Sequence, residues 1–134
     1  MSYALRTTVD QPFAVTVQTT RDALADQGFG VLTEIDLAAT LKAKIDQDIA
    51  PQVILGACRP PLAYAAVQAE PSIGLLLPCN VVVRSISEHQ TVVEAMDPDI
   101  MVTLTGNQDL NDVATDARDR LTRALAAVTS AATR

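Results

Sequence analysis

Alternating apolar and polar positions predict strands along the first half of the chain. The segment "FAVTV" at 13–17 is β-branched and alternates, which is typical of a half-buried strand. "FGVLTEI", starting at Phe29, predicts a second strand, and "QVILGA" at 52–57 predicts a buried strand that runs into Cys58.

Helices are predicted between and after these strands by capping residues and by four-residue spacing. A short helix is expected from a Thr19 or Thr20 cap to a stop at Gly28, and Asp36 caps "LAATLKAKI". Pro60 and Pro61 open "LAYAAVQAE", since proline is tolerated in a first helical turn. A final helix is predicted from Asn107 or Asp109 to about Ala131, with ion-pair spacing at Asp116–Arg120 and Asp119–Arg123.

The segment between the last two helices predicts further strands. "IGLLLPCNVVVRSI" is a long apolar strand in which Pro78 indicates an edge or a bulge, because proline cannot donate a ladder hydrogen bond. "SEHQ" predicts a hairpin turn, "TVVEAM" the returning strand, and "DPDIMVTLT" a last strand. The order predicts an α+β fold, a curved antiparallel sheet packed against helices on one face, with a long C-terminal helix. The runs "VILGA" and "LLLPCNVVV" are apolar on both faces, which favours a homodimer.

Composition narrows the functional classes. The 134 residues predict one domain over 1–134, and the net charge of −6 with scattered arginines argues against a nucleic-acid partner. No apolar run approaches the length of a membrane span, so no membrane partner is expected and a cytoplasmic location is predicted. In that reducing compartment the two cysteines are expected to be free thiols.

The cysteines are the candidate catalytic residues. Cys58 precedes a helix N-terminus and adjoins Arg59, and both features favour a thiolate, although filling the core is the commoner role of a cysteine. Cys79 has apolar neighbours, and burial there would raise its pKa and make it inert. If their strands are adjacent, a reversible dithiol becomes possible.

Other candidate ligands have weaker support. Asn80 and Tyr64 are expected beside the same junction and are predicted, with Cys58 and Cys79, to bind a small ligand. The single His89 lies in a predicted turn and no paired metal ligands occur at short spacing, so no metal and no cofactor are predicted.

Three segments resemble the bacterial and archaeal family known as domain of unknown function 302: "FGVLTEID", "ILGACRPPLAYAAVQAEP" and "GLLLPCNVVV". The resemblance implies a TATA-binding-protein-like α+β architecture without its DNA role, a homodimer and no established reaction. Its characteristic positions fall on Gly56, Cys58, Pro60, Ala63, Glu70, Leu77, Pro78, Cys79 and Asn80. The run Arg59–Pro61 differs in detail from the commoner form, which leaves a role for Arg59 open.

Three functional hypotheses follow. The first is a homodimeric small-ligand-binding protein with a pocket near Cys58 and Asn80, for which a pocket of about 300 Å³ or more is expected. The second is a thiol protein that acts on oxidant or sulfur species through Cys58, with Cys79 as its partner. The third is a structural or interaction module that uses the sheet face.

Overall fold

A computed structural model describes residues 2–133, in which five antiparallel strands form one open sheet. Across the sheet the strands lie in the order β1-β5-β4-β3-β2, so β1 and β2 are the edges. The strands are β1 (Ala4–Val9), β2 (Gly30–Asp36), β3 (Gln52–Cys58), β4 (Cys79–Ser87) and β5 (Gln90–Met96).

Helices connect or flank these strands. Two short 3₁₀ helices, Pro71–Leu76 and Gln108–Leu110, precede β4 and the last helix. The α-helices are α1 (Phe13–Asp26), α2 (Leu37–Ile45), α3 (Pro60–Ala69), α4 (Asp99–Thr105) and α5 (Asn111–Ala132).

The main core lies between one face of the sheet and the helices α1 and α5. Leu55, Val83 and Val93 from the three central strands are fully buried there against Leu24 of α1 and Leu121 of α5. Since directly opposed residues of an antiparallel ladder share a face, the register places Ile54, Val82 and Glu94 on the other face. The α+β class, the antiparallel sheet with helices packed on it and the long C-terminal helix are confirmed.

The elements with strong local signals form as predicted. The Asp36 carboxylate accepts a hydrogen bond from the Ala39 N–H at 2.9 Å and so caps α2, and the two prolines start α3. The β4–β5 hairpin and α5 are present, and Arg120 binds Asp116 at 2.7 Å. Arg123 instead donates to the side chain of Gln27, so the predicted Asp119–Arg123 pair does not form.

The predicted strand at 13–17 is wrong, because Phe13–Asp26 is one continuous helix. Thr16, Thr20 and Leu24 recur at intervals of four and are buried, so the packing of this helical stripe overrides the strand preference of the β-branched residues. The first strand is instead Ala4–Val9, which the sequence reasoning missed.

Two other predicted strands are also corrected. Residues 71–76 form a 3₁₀ helix, and Pro78 lies just before β4, which is an inner strand, so Pro78 marks neither an edge nor a bulge within it. Residues 99–105 form α4, where Met101 is buried in a second, smaller core cluster with Ala66 and Leu110.

Candidate functional site

A small cavity lies where β3 passes into α3, and both cysteines contribute to its wall. Its volume is about 30 Å³. We call it the cysteine cavity; it is lined by Phe29, Ala57, Cys58, Arg59, Leu62, Ala63, Ala66, Leu77, Pro78, Cys79, Met101, Val113 and Ala117. Apart from Arg59 and the sulfur-containing side chains, this wall is aliphatic or aromatic.

Cys58 and Cys79 reach the cavity from the ends of adjacent strands. Ala57 lies directly opposite Cys79 in the β3–β4 ladder, and Cys58 is the next residue. Ladder spacing puts the two Cα atoms roughly 6 Å apart, but successive strand residues alternate between faces, so the register does not direct the two thiols towards each other. Both cysteines are free thiols.

The two thiols differ in their surroundings. Cys58 is half-buried, whereas Cys79 is 7% exposed. Burial, with a smaller contribution from the neighbouring Cys58, raises the pKa of Cys79 to about 11. Cys79 is therefore a neutral thiol at physiological pH and is a poor nucleophile.

Among the described residues that line the cavity, Arg59 is the only charged one. Its side chain lies against Gly28: a Cβ added to Gly28 would come 3.1 Å from Arg59 Nε. Gly28 has a φ of +84°, a conformation that glycine adopts without strain. The Nε atom of Arg59 is buried, and no residue within 2–133 accepts a hydrogen bond from it. A buried donor without an acceptor is costly and calls for an explanation.

The start of α3 does not offer backbone donors to a ligand. Pro60 and Pro61 have no N–H, and the N–H groups of Leu62 and Ala63 both donate to the Arg59 carbonyl at 3.0 Å. Among the side chains that line the cavity, only the Arg59 guanidinium and the cysteine thiols can donate a hydrogen bond to a ligand.

The structure does not bring Asn80 and Tyr64 into the cysteine cavity. Asn80 is exposed and lies opposite Gly56 on the open face of the sheet, whereas Cys79 next to it is buried on the helical side. Asn80 lines a separate groove of about 230 Å³ with Tyr3 and Glu94. Tyr64 is 69% exposed on α3.

The remaining candidate groups also lie elsewhere. His89 is exposed in the hairpin turn, and Glu70 accepts a hydrogen bond from Asn107 at 3.0 Å. Across residues 2–133, no three His, Cys, Asp or Glu side chains come together as a metal site.

Glu94 forms a charged cluster on the open face that the sequence reasoning missed. Its carboxylate accepts hydrogen bonds from Arg6 Nε at 2.7 Å and from Arg84 Nε at 2.8 Å. Partial burial of Glu94 opposes its ionisation, but the hydrogen bonds and charges of Arg84 and Arg6 outweigh it and lower its pKa. These residues are far apart in sequence, so only strand pairing reveals the cluster.

Two more cavity residues were also missed. The sequence pattern predicts a strand at Met101, and it indicates a role for Arg59 only as a neighbour of Cys58. Alternation within a strand or spacing within a helix carries no signal for contacts between α4, β4 and the start of α3, so no local pattern could have found them.

Comparison with known proteins supports the family resemblance. The family model described as "Domain of unknown function DUF302" matches residues 5–128. The chain belongs to the DUF302 family. A crystal structure of an uncharacterised conserved DUF302 protein from Bacillus stearothermophilus is similar, with a TM-score of 0.88 and 25% sequence identity. The match covers 96% of this chain and 99% of that one.

No curated protein matches this DUF302 chain. Within the part of the chain that the structure describes, no helix is both long and apolar enough to cross a membrane. Five of the positions that carry the DUF302 resemblance line the cysteine cavity, namely Cys58, Ala63, Leu77, Pro78 and Cys79.

Proposed function

We propose that this DUF302 chain is a small-ligand-binding protein and that its binding site is the cysteine cavity. The observation that carries the proposal is the buried Nε–H of Arg59, for which residues 2–133 supply no acceptor. A ligand that accepts this hydrogen bond, or that carries a negative charge when bound, removes the cost of leaving the donor unpaired. The same ligand would contact the two thiols.

The size of the cavity restricts the ligand. A volume of about 30 Å³ exceeds the roughly 10–15 Å³ needed for one water molecule, but drug-sized ligands occupy pockets of about 300 Å³ or more. The larger pocket expected from the sequence, with Asn80 and Tyr64 in its wall, does not fit this geometry. The proposed ligand is therefore an ion or a molecule of only a few atoms.

The Nε–H group of Arg59 is itself a reporter for the test. Protein labelled with ¹⁵N is titrated with hydrosulfide and with thiocyanate, two small anions with a sulfur atom, and the arginine Nε–H signals are followed by NMR. We expect the Arg59 signal to shift and to be lost in Arg59→Lys. Arg123, whose Nε donates to Gln27 at the surface, provides the control signal and should not move. If neither anion shifts the Arg59 signal, the proposal is refuted.

The partial exposure of Cys58 favours a second candidate function, a thiol protein acting on oxidant or sulfur species. In that reaction the Cys58 thiolate would attack the substrate, and Cys79, which begins the adjacent strand, would be its partner thiol. Alkylation of each cysteine between pH 5 and 10, read by mass spectrometry, tests it. Rapid reaction at Cys58 with a midpoint well below the ordinary pKa of about 8.5 would support it, and resistance of both cysteines until unfolding would exclude it.

We also propose that a second copy of the chain covers part of the open sheet face. The directly opposed residues in one row across the open face, from β2 to β1, are Ile35, Ile54, Val82, Glu94 and Arg6. The half of this row near β2 is therefore apolar, and the half near β1 is charged. A two-fold axis near Ile54 would pair the apolar halves and leave the charged cluster at the rim, as in protein interfaces generally.

The oligomeric state in solution tests this arrangement. Light scattering coupled to size exclusion is expected to give twice the chain mass, and Ile54→Lys should give the monomer mass. The matched control is Thr8→Lys, on the same face but in the edge strand β1. A monomeric native protein, or an Ile54→Lys variant that stays dimeric, would refute the interface.

A further inference from the structure

The permanent charge at the cysteine cavity comes from one residue. Arg59 carries a charge of +1, and no carboxylate or imidazole is among the described residues that line the cavity. Burial keeps Cys79 a neutral thiol at physiological pH, since its pKa is about 11. A ligand with a single negative charge therefore balances Arg59, whereas a neutral ligand leaves the guanidinium without a counter-charge and a dianion leaves an excess of negative charge.

The inner wall of the cavity is shielded from water and is almost entirely apolar. Phe29, Ala57, Ala66 and Met101 line it, and each is at most 4% exposed. An ion that enters loses most of its hydration shell, and this loss is more costly when the charge is concentrated on a few small atoms. Polarisable atoms recover part of the loss through dispersion attraction to the wall. The wall therefore favours a weakly hydrated anion.

Few hydrogen-bond donors compensate for the lost hydration. Pro60 and Pro61 remove two N–H groups from the first turn of α3, and those of Leu62 and Ala63 already donate to the Arg59 carbonyl. Phosphate and sulfate sites at helix starts use several such N–H groups. The buried Nε–H of Arg59, which has no acceptor within residues 2–133, remains for a ligand. This supply suits an anion that requires few hydrogen bonds.

The volume limits the length of the anion. One water molecule needs roughly 10–15 Å³, and the cavity measures about 30 Å³. It therefore holds about three non-hydrogen atoms at most.

We propose that the ligand of the cysteine cavity is a weakly hydrated monoanion of the class of thiocyanate, bound as an ion pair with Arg59. The proposal rests on the proposed function, because it names the ligand class of the same cavity. Formate has the same charge and the same number of non-hydrogen atoms as thiocyanate, but its charge is concentrated on two oxygen atoms. The cavity therefore discriminates against formate, and it excludes the dianion sulfate.

The affinities for these matched anions test the selectivity. Protein labelled with ¹⁵N is titrated with thiocyanate, formate and sulfate while sodium fluoride keeps the ionic strength constant. The Nε–H signal of Arg59 and the backbone signals of Ala57 and Ala66 give each dissociation constant. We expect thiocyanate to bind about tenfold or more tightly than formate, and sulfate to leave all three signals unchanged.

Two pairs of variants test whether the anion binds beside Arg59 and inside the cavity. Arg59→Gln removes the charge and should weaken thiocyanate binding by about tenfold or more. Arg123→Gln makes the same change in net charge at an arginine that binds Gln27 outside the cavity, and it should bind like the native chain. Ala63→Leu narrows the cavity and should abolish binding, whereas Ala65→Leu, at an exposed residue of the same helix, should not. The alanine pair also serves if Arg59→Gln fails to fold.

The outcomes separate the anion class from the ligand cavity itself. Equal affinity for thiocyanate and formate, binding of sulfate, or equal thiocyanate affinity in Arg59→Gln and Arg123→Gln would overturn the anion class. If hydrosulfide shifts the Arg59 signal while thiocyanate does not, this inference fails and the proposed ligand cavity stands. If neither anion shifts the signal, or if Ala63→Leu binds thiocyanate as the native chain does, both proposals fail.

Discussion

Replacing Gly56 by alanine tests how tightly the open face is packed around the strand that leads to Cys58. Gly56 lies in β3, and an added Cβ would collide with Thr33 Oγ1 and come within 2.9 Å of Pro78 Cγ. Carbon atoms in contact normally lie about 3.5–4.0 Å apart. Thr33 is held in the neighbouring strand and Pro78 directly precedes β4, so neither backbone can move freely.

Two opposing effects determine how much Gly56→Ala changes the free energy of unfolding. Overpacking costs typically about 1–3 kcal/mol, and replacing a strand glycine by alanine returns about 0.5–1 kcal/mol through the reduced entropy of the unfolded chain. We therefore expect Gly56→Ala to lower the free energy of unfolding by about 1–2 kcal/mol. For a domain of this size the midpoint temperature should fall by about 5 °C.

Urea unfolding followed by circular dichroism measures this change. Gly30→Ala is the matched control, because its added Cβ would meet only the Cys58 carbonyl oxygen at 3.9 Å, an ordinary contact. Thr33→Ala in the Gly56→Ala background should recover about 0.5 kcal/mol or more, since the two side chains collide directly. The reasoning is refuted if Gly56→Ala is as stable as the native chain, or if removing the Thr33 hydroxyl restores nothing.

Three further predictions concern the thiol, the core and a helix cap. Because the folded pKa of Cys79 is raised, its contribution is complete below the unfolded pKa of about 8.5 and is lost as pH rises towards 11; the stability difference from Cys79→Ala should shrink by about 2–3 kcal/mol over that window, and a constant difference would contradict the shift. Leu121→Ala should lower the free energy of unfolding, measured in urea, by about 2–5 kcal/mol. Leu104→Ala, at a residue that is 67% exposed, should lower it by less than about 0.5 kcal/mol. Equal decreases in the two variants would contradict the assigned core. Asp36→Ala removes the cap of α2 and should destabilise this helix by about 1 kcal/mol. The expected readout is faster backbone hydrogen exchange that is confined to α2, and unchanged exchange there would show that the cap contributes nothing.

Local signals predicted those elements whose ends are specified by their own residues. Asp36 caps α2 through a backbone N–H three residues away, and the prolines start α3 because the missing N–H groups lie in the first turn. The errors fall where packing overrides propensity. Val15, Thr16 and Val17 are β-branched, yet they lie in a helix because the buried stripe of α1 covers the sheet.

The candidate site was only partly predictable. The strand-to-helix junction at Cys58 and the apolar neighbours of Cys79 are visible in the sequence, and the pairing of their strands could be stated only as a condition. Asn80 adjoins Cys79 in the chain but faces the other side of the sheet, since successive strand residues alternate between faces. A site assembled from neighbours in sequence therefore combined residues that the sheet separates.

By itself, the sequence determined the fold class, the ends of α2 and α3, the β4–β5 hairpin, the long C-terminal helix and the membership of the DUF302 family. These features depend on caps, alternation and motifs that act over a few residues. Only the tertiary structure decided that Cys58, Arg59, Cys79 and Met101 meet at one cavity and that Glu94 binds two arginines on the open face. The two contacts of Glu94 join residues 10 and 88 positions apart, and the burial and charge balance that define such contacts exist only after the chain has folded.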